Sequence, residues 1–206
     1  MLLADLLYWV GLVAVAVGAA TGVFEAERKG MDLVGTVMVA VATGLGGGTV
    51  RDLLLDRNVF WVVDQTYLIT AFATGILTFF VVRRRPISPR LFLYPDALAL
   101  ALFAVLGTQA ALHWHAPWLV ASLMGVITGV FGGVLRDIFC NQVPLIFLPG
   151  ELYASAALAG CLLLIGLQAL GVSPVWAAWL AAALIFGLRW AAIVFKISLP
   201  TFKART

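Results

Sequence analysis

The chain has 206 residues, 63% apolar and only 11% charged, with a net charge of +3 and a mean hydropathy of +1.07. A soluble domain carries roughly 25% charged residues, so this composition excludes one and points to a membrane protein. The small positive excess reads as membrane topology, not as nucleic-acid binding.

Seven apolar segments follow one another, predicting helices over 3–24, 31–50, 66–83, 95–112, 117–140, 150–170 and 174–195. Each is near the ~20 residues needed to cross ~30 Å of hydrocarbon. Leu2 to Phe24 is too long for a signal-peptide core and lacks a preceding basic stretch, which predicts a retained helix. A charged run, Glu25 to Gly30, separates it from the second segment, where Asp32 suits the positive end of a helix dipole. Asp56-Arg57-Asn58 and Arg83-Arg84-Arg85-Pro86 bound the third segment, with Asp64 just before it. Asp96 and Glu151 open the fourth and sixth segments in the manner of Asp32. His113 to Pro117, Asn141 to Pro149 and the turn Gly171 to Pro174 supply the remaining breaks. No stretch outside these segments is able to form a globular domain, so 1–206 reads as a single all-α transmembrane domain of seven helices.

The second and fifth segments carry one motif twice, 85 residues apart: VATGLGGGTVRD from Val41 and VITGVFGGVLRD from Val126. Seven of the twelve aligned positions are identical, among them Thr43/Thr128, Gly44/Gly129, Gly47/Gly132, Gly48/Gly133, Arg51/Arg136 and Asp52/Asp137. The same offset pairs Ala14 with Ala99, Gly22 with Gly107, Ala71 with Ala156 and Gly75 with Gly160. One register kept so long implies a duplicated unit, about 1–85 and about 86–170, with the seventh helix at about 174–195 left over. Three helices per copy is odd, so the second copy enters from the opposite side, an inverted repeat of three plus three. Arg28, Lys29, Arg83, Arg84, Arg85, Arg90, Lys196, Lys203 and Arg205 then gather on one side. The positive-inside rule places the N-terminus outside and the C-terminus in the cytoplasm.

Two readings of the glycines stay open. Ala40, Gly44 and Gly48, like Gly125, Gly129 and Gly133, place small residues on one helix face, which suits close helix packing. Yet Gly46-Gly47-Gly48 and Gly132-Gly133 are adjacent, and each glycine costs about 1 kcal/mol of helix propensity. Such runs predict a bend or an unwound turn, with freed carbonyls beside Thr43 and Thr128 lining a cation path. Arg51-Asp52 and Arg136-Asp137 either snorkel to the interfaces or pair across the pseudo-twofold axis, Arg51 with Asp137 and Arg136 with Asp52, to neutralise buried charge and gate the path.

The remaining polar residues read more simply. Tyr67 and Tyr153 suit aromatic belts at the membrane interfaces, His113 and His115 an exposed loop, and Cys140 and Cys161 two buried thiols. No nucleophile–base pairing, phosphate loop or zinc spacing appears, so neither an enzyme nor a cofactor is expected.

At GGGTVRD and GGVLRD, at Arg28 to Asp32, at Phe103 to Leu112, at Asn141 to Phe147 and at Glu151 to Ala154, the chain resembles the bacterial branch of the trimeric intracellular cation channel family. Many such sequences also carry the label of a glycine transporter domain. The resemblance spans about 5–195 and implies a homotrimer in the inner membrane, surrounded by lipid, with a pore in each protomer. It implies that helices two and five bend at Gly46-Gly47-Gly48 and Gly132-Gly133 around a path for potassium and, less selectively, sodium. Arg51, Asp52, Arg136 and Asp137 would then shape and gate that path. Phe131 replaces the first glycine in the second copy and is expected to narrow one side of it. The competing functions are a secondary transporter of a small amino acid such as glycine and a purely structural membrane oligomer.

Overall fold

The computed structural model describes residues 2–84, 88, 92–148 and 152–198. Arg85, Pro86, Arg90, Pro149, Glu151, Lys203 and Arg205, used above for topology and helix boundaries, lie outside the described residues. Seven long helices run in order: α1 (Leu2–Arg28), α2 (Leu33–Leu54), α3 (Gln65–Arg84), α4 (Leu93–His113), α5 (Trp118–Phe139), α6 (Ala154–Ala169) and α7 (Pro174–Phe195). One helical turn, Phe60–Val63, precedes α3, and a 3-10 turn, Leu145–Phe147, precedes α6.

Local chemistry sets most of the ends. Helix α1 continues through the charged run expected to stop it, because Arg28 reaches back one turn to Glu25 at 3.0 Å. Helix α2 starts where Asp32 Oδ1 accepts the Gly35 N–H at 2.7 Å. Helix α7 starts at Pro174, behind Ser173. Six helices are long and apolar enough to cross a membrane. The exception is α6, with 16 residues and a rise of about 24 Å. Part of the stretch expected to be helical there is used differently, since the chain after α5 folds back beneath the end of that helix.

The duplication is visible in the packing. Helices α1–α3 share a core around Val15, Ala19, Leu45 and Ala71, and α4–α7 share one around Leu100, Val130, Leu164 and Ile185. Equivalent residues make equivalent approaches. A Cβ on Gly44 would lie 3.0 Å from the Val15 carbonyl oxygen, and one on Gly129 would lie 3.1 Å from that of Leu100. Helices α2 and α5 pack on each other at the centre of the bundle. Gly47 faces Thr128 there while Gly132 faces Thr43. As one number falls the other rises, so the two helices run antiparallel and the repeat is inverted.

Candidate functional site

Three features of the duplicated motif come together along the α2–α5 axis: a glycine crossing and, beyond it at either end, an arginine–aspartate node. At the crossing, a Cβ on Gly47 would sit 2.1 Å from the Thr128 carbonyl oxygen, and one on Gly132 would sit 2.3 Å from that of Thr43. Only hydrogen fits. Both helices remain α-helical through Gly46-Gly47-Gly48 and Gly132-Gly133, so the unwound turn expected there is absent. Gly47 and Gly132 serve backbone-to-backbone approach, and no space is left between α2 and α5 at that level. Gly46 packs on Leu135. Phe131 is 37% exposed on the outer side of the bundle, so it does not narrow a central path.

Each node closes a helix in the same way. The N–H of Leu55 donates to the Arg51 carbonyl at 3.0 Å and that of Cys140 to the Arg136 carbonyl at 2.9 Å. Asp56 and Asn141 then take the left-handed conformation, both with φ of 51°, as short polar side chains permit. The aspartate of each pair is used twice. Asp52 Oδ1 accepts Arg51 Nε at 2.8 Å and its Oδ2 accepts the Phe60 N–H at 3.0 Å. Asp137 Oδ1 accepts Arg136 Nε at 2.8 Å and its Oδ2 accepts the Leu145 N–H at 2.9 Å. Each carboxylate therefore pins the start of the following turn.

Two expectations are corrected by this geometry. The arginines do not snorkel, for Arg51 is 8% exposed and Arg136 fully buried. Nor do they pair across the axis, since each binds its own neighbour. Arg51 and Asp137 lie on opposite sides of the crossing, with about 20 Å of helix between them at ~1.5 Å per residue.

The nodes differ in what surrounds them. At the end of α5, Arg136 Nη1 also donates to Asp96 Oδ1 at 2.6 Å. Arg189 of α7 stands 4.0 Å from Asp96 Oδ2, and its guanidinium lies over the Tyr153 ring at 4.8 Å. Two arginines meet two carboxylates there, all of them buried. At the end of α2, Arg51 and Arg57 share the single carboxylate of Asp52, at 2.8 and 3.9 Å. The position that matches Asp96 across the 85-residue offset is Gly11. Its Cβ would meet the Tyr67 hydroxyl at 3.0 Å. Among the described residues, one node is thus balanced and closed, whereas the other carries an excess positive charge and opens onto a cavity.

That cavity has a volume of about 410 Å³ and is lined by Arg51, Arg57, Gly48, Thr128, Gln109 and Phe103, among others. A second, of only about 10 Å³, is bounded by Thr43, Gly129, Gly132, Gly133, Asp96 and Phe103. Phe103 borders both, and its ring rests on Gly18, whose Cβ would lie 3.0 Å from it. The threonines are seated alike: Thr43 Oγ1 donates to the Val39 carbonyl and Thr128 Oγ1 to that of Met124, each at 2.6 Å. Gly22 and Gly107 leave room for these hydroxyls, their Cβ positions falling 2.7 and 2.3 Å from the oxygens. Gly44, Gly46 and Gly47 line neither cavity.

Several of these residues escaped the sequence reading. Asp96 does open α4, but as the buried partner of Arg136 and not only as a helix-end charge. Tyr153 is 4% exposed and belongs to this cluster, not to an interface belt. Arg189 carried no motif, and Phe103 and Gln109 lay within a stretch of family resemblance, Phe103 to Leu112, without a role of their own. A signal for Asp96 was present in the repeat itself, where a carboxylate in one copy stands against glycine in the other. Cys140 and Cys161 are both buried and free, and His113 and His115 are exposed, as expected.

A model of the family described as "Glycine transporter" matches residues 8–83 and, a second time, 93–169. The inner membrane protein YadS of Escherichia coli (strain K12), described as UPF0126, is 38% identical over 200 residues, 96% of each chain. A UPF0126 membrane protein of Vibrio cholerae is 38% identical over 201 residues, 96% of this chain and 83% of the other. Among solved structures, the trimeric intracellular cation channel orthologue from Rhodobacter sphaeroides superposes with a TM-score of 0.89 at 36% identity, covering 93% of this chain and 99% of that one. A second structure, concerned with conductance through TRIC cation channels, gives a TM-score of 0.87 at 32% identity, covering 96% and 97%.

Proposed function

The chain belongs to the trimeric intracellular cation (TRIC) channel family, and from that premise we propose that it is a passive cation channel of the bacterial inner membrane. Each protomer of a trimer holds its own path, with the N-terminus outside and the C-terminus in the cytoplasm. Potassium is the main permeant ion, and sodium follows less selectively.

The observation that carries this reading is the pair of cavities that meet at Phe103. They lie beside the glycine crossing and not through it, between α1, α2, α4 and α5. Each contains a threonine hydroxyl of the repeated motif, Thr128 in the larger and Thr43 in the smaller. Each hydroxyl proton is spent on its own helix, which leaves the oxygen's acceptor capacity unused by that bond. The carboxylate of Asp96 also borders the smaller space, but its charge is already met by Arg136 and Arg189. A space of about 10 Å³ holds about one water, so the path is shut at this level and Phe103 is its occluding group.

Purified protein in planar bilayers tests the reading. Discrete current steps in potassium chloride without added substrate are expected, and Phe103→Ala is expected to raise open probability. Saturable, gradient-coupled glycine uptake without unitary current would replace the channel by a carrier. Silence in both assays would leave assembly as the only role.

A further inference from the structure

The two nodes are built by one motif, yet only one is complete. In the α5 node the carboxylate of Asp96 bridges to Arg136 from the neighbouring helix. In the α2 node the matching position is Gly11, and among the described residues no carboxylate of α1 pairs with Arg51 or Arg57. The equivalence is structural as well as numerical. One turn further along, Val15 and Leu100 hold matching positions against Gly44 and Gly129.

What remains at the α2 node is an excess of donors over carboxylate acceptors. The hydrogen bond and ion pair of Arg51 leave from its Nε and Nη2 and end on Asp52 Oδ1. Arg57 reaches the same oxygen only at 3.9 Å; its Nη1 donates to the Ala110 carbonyl at 3.4 Å and its guanidinium lies over the Trp114 ring, so among the described residues no carboxylate is in hydrogen-bond contact with it. Gln109 is 9% exposed, and its Nε2 has no hydrogen-bond partner. All three line the cavity of about 410 Å³, with Gly11 and Tyr67 in its wall. A buried amide donor left unpaired is costly, and the arginines leave one positive charge uncompensated.

We propose that the Arg51–Arg57–Gln109 cavity binds a small carboxylate, acetate- to amino-acid-sized, which takes the place that Asp96 fills in the other half. A planar carboxylate suits guanidinium better than a spherical halide does, because it accepts two parallel N–H donors. Its charge brings the node to the two-against-two balance of its counterpart. Neutralising this mouth lowers the barrier to an entering cation. That consequence, though not the binding itself, rests on the cation-path reading above.

Isothermal titration of the purified, detergent-solubilised protein tests the proposal without any current measurement. Sodium acetate and glycine are titrated at fixed sodium concentration, with sodium chloride as the control. Saturable acetate binding at one site per protomer is expected, with chloride weaker and glycine comparable to acetate. Arg51→Gln should weaken acetate binding about tenfold or more. Gly11→Asp should abolish it by supplying the carboxylate internally; if that chain does not fold, Gln109→Leu should weaken binding instead. Chloride binding as tightly as acetate overturns the proposal, as does binding unchanged in the variants or binding of glycine without acetate. A protein that binds acetate but passes no current upholds this site and refutes the channel; one that conducts without binding does the reverse.

Discussion

Two copies of one motif, folded alike to within a few tenths of an ångström in their aspartate bonds, have reached opposite electrostatic states. The α5 node is buried, balanced and sealed by Asp96, Tyr153 and Arg189. The α2 node has one carboxylate for two arginines and borders a cavity. The difference shows which parts of the motif build the fold and which are free to diverge. The helix-ending geometry and the glycine crossing are kept on both sides, and only the partner on the neighbouring helix changes.

The comparison breaks most severely at Asp96. Asp96→Asn leaves Arg136 with one carboxylate in place of two in a dry site, a loss of about 3–5 kcal/mol. Thermal unfolding of the detergent-solubilised protein should show it as the most damaging single change. Next come Gly47→Ala and Gly132→Ala. Each drives a Cβ into a rigid carbonyl, costing about 2–3 kcal/mol, and because the crossing is shared the two should match to within about 1 kcal/mol in the same assay. Unequal losses would show that the crossing is less symmetric than the nodes are different. A smaller effect, about 1–2 kcal/mol, is expected for Arg51→Gln, since Arg57 and the Phe60 N–H still hold Asp52. An equal cost for Arg51→Gln and Asp96→Asn would erase the contrast between the nodes.

The smallest effect concerns Asp64, which has Pro149 as its sequence counterpart. The Thr66 side chain and N–H hold this carboxyl below its ordinary value. A depressed folded value gives stability that is present above the unfolded pKa of 3.8 and lost as pH falls through the lower, folded one. Asp64→Asn should therefore leave unfolding curves unaltered in their pH trend above about pH 5 and flatten them only in acid.

The architecture was legible because it rests on patterns that a sequence displays directly: apolar length, a fixed offset and odd parity. Most helix ends followed from single residues such as Asp32 and Pro174. The glycine run was ambiguous for a physical reason. The same residue serves a bend and a close approach, and only the partner backbone, here the Thr128 and Thr43 carbonyls, decides between them. The pairing of Arg51 and Arg136 was misread because antiparallel helices carry equivalent residues away from their crossing, not toward each other. Asp96, Tyr153 and Arg189 come from three separate elements, and nothing in their spacing announces that they meet. Phe103 was quoted only as the start of a family stretch, since an aromatic ring in an apolar helix says nothing about which void it stops.

The Gly11–Asp96 contrast also bears on ancestry. Two identical, unlinked copies inserted in opposite directions would form an isologous pair, in which every residue appears at both ends at once. No substitution in such a pair seals one mouth and leaves the other open. Fusion into one polypeptide lifts that restriction, for each half then mutates alone. In one joined chain the two ends of the α2–α5 axis are free to differ, and position 11, glycine where the other half has Asp96, is where they do.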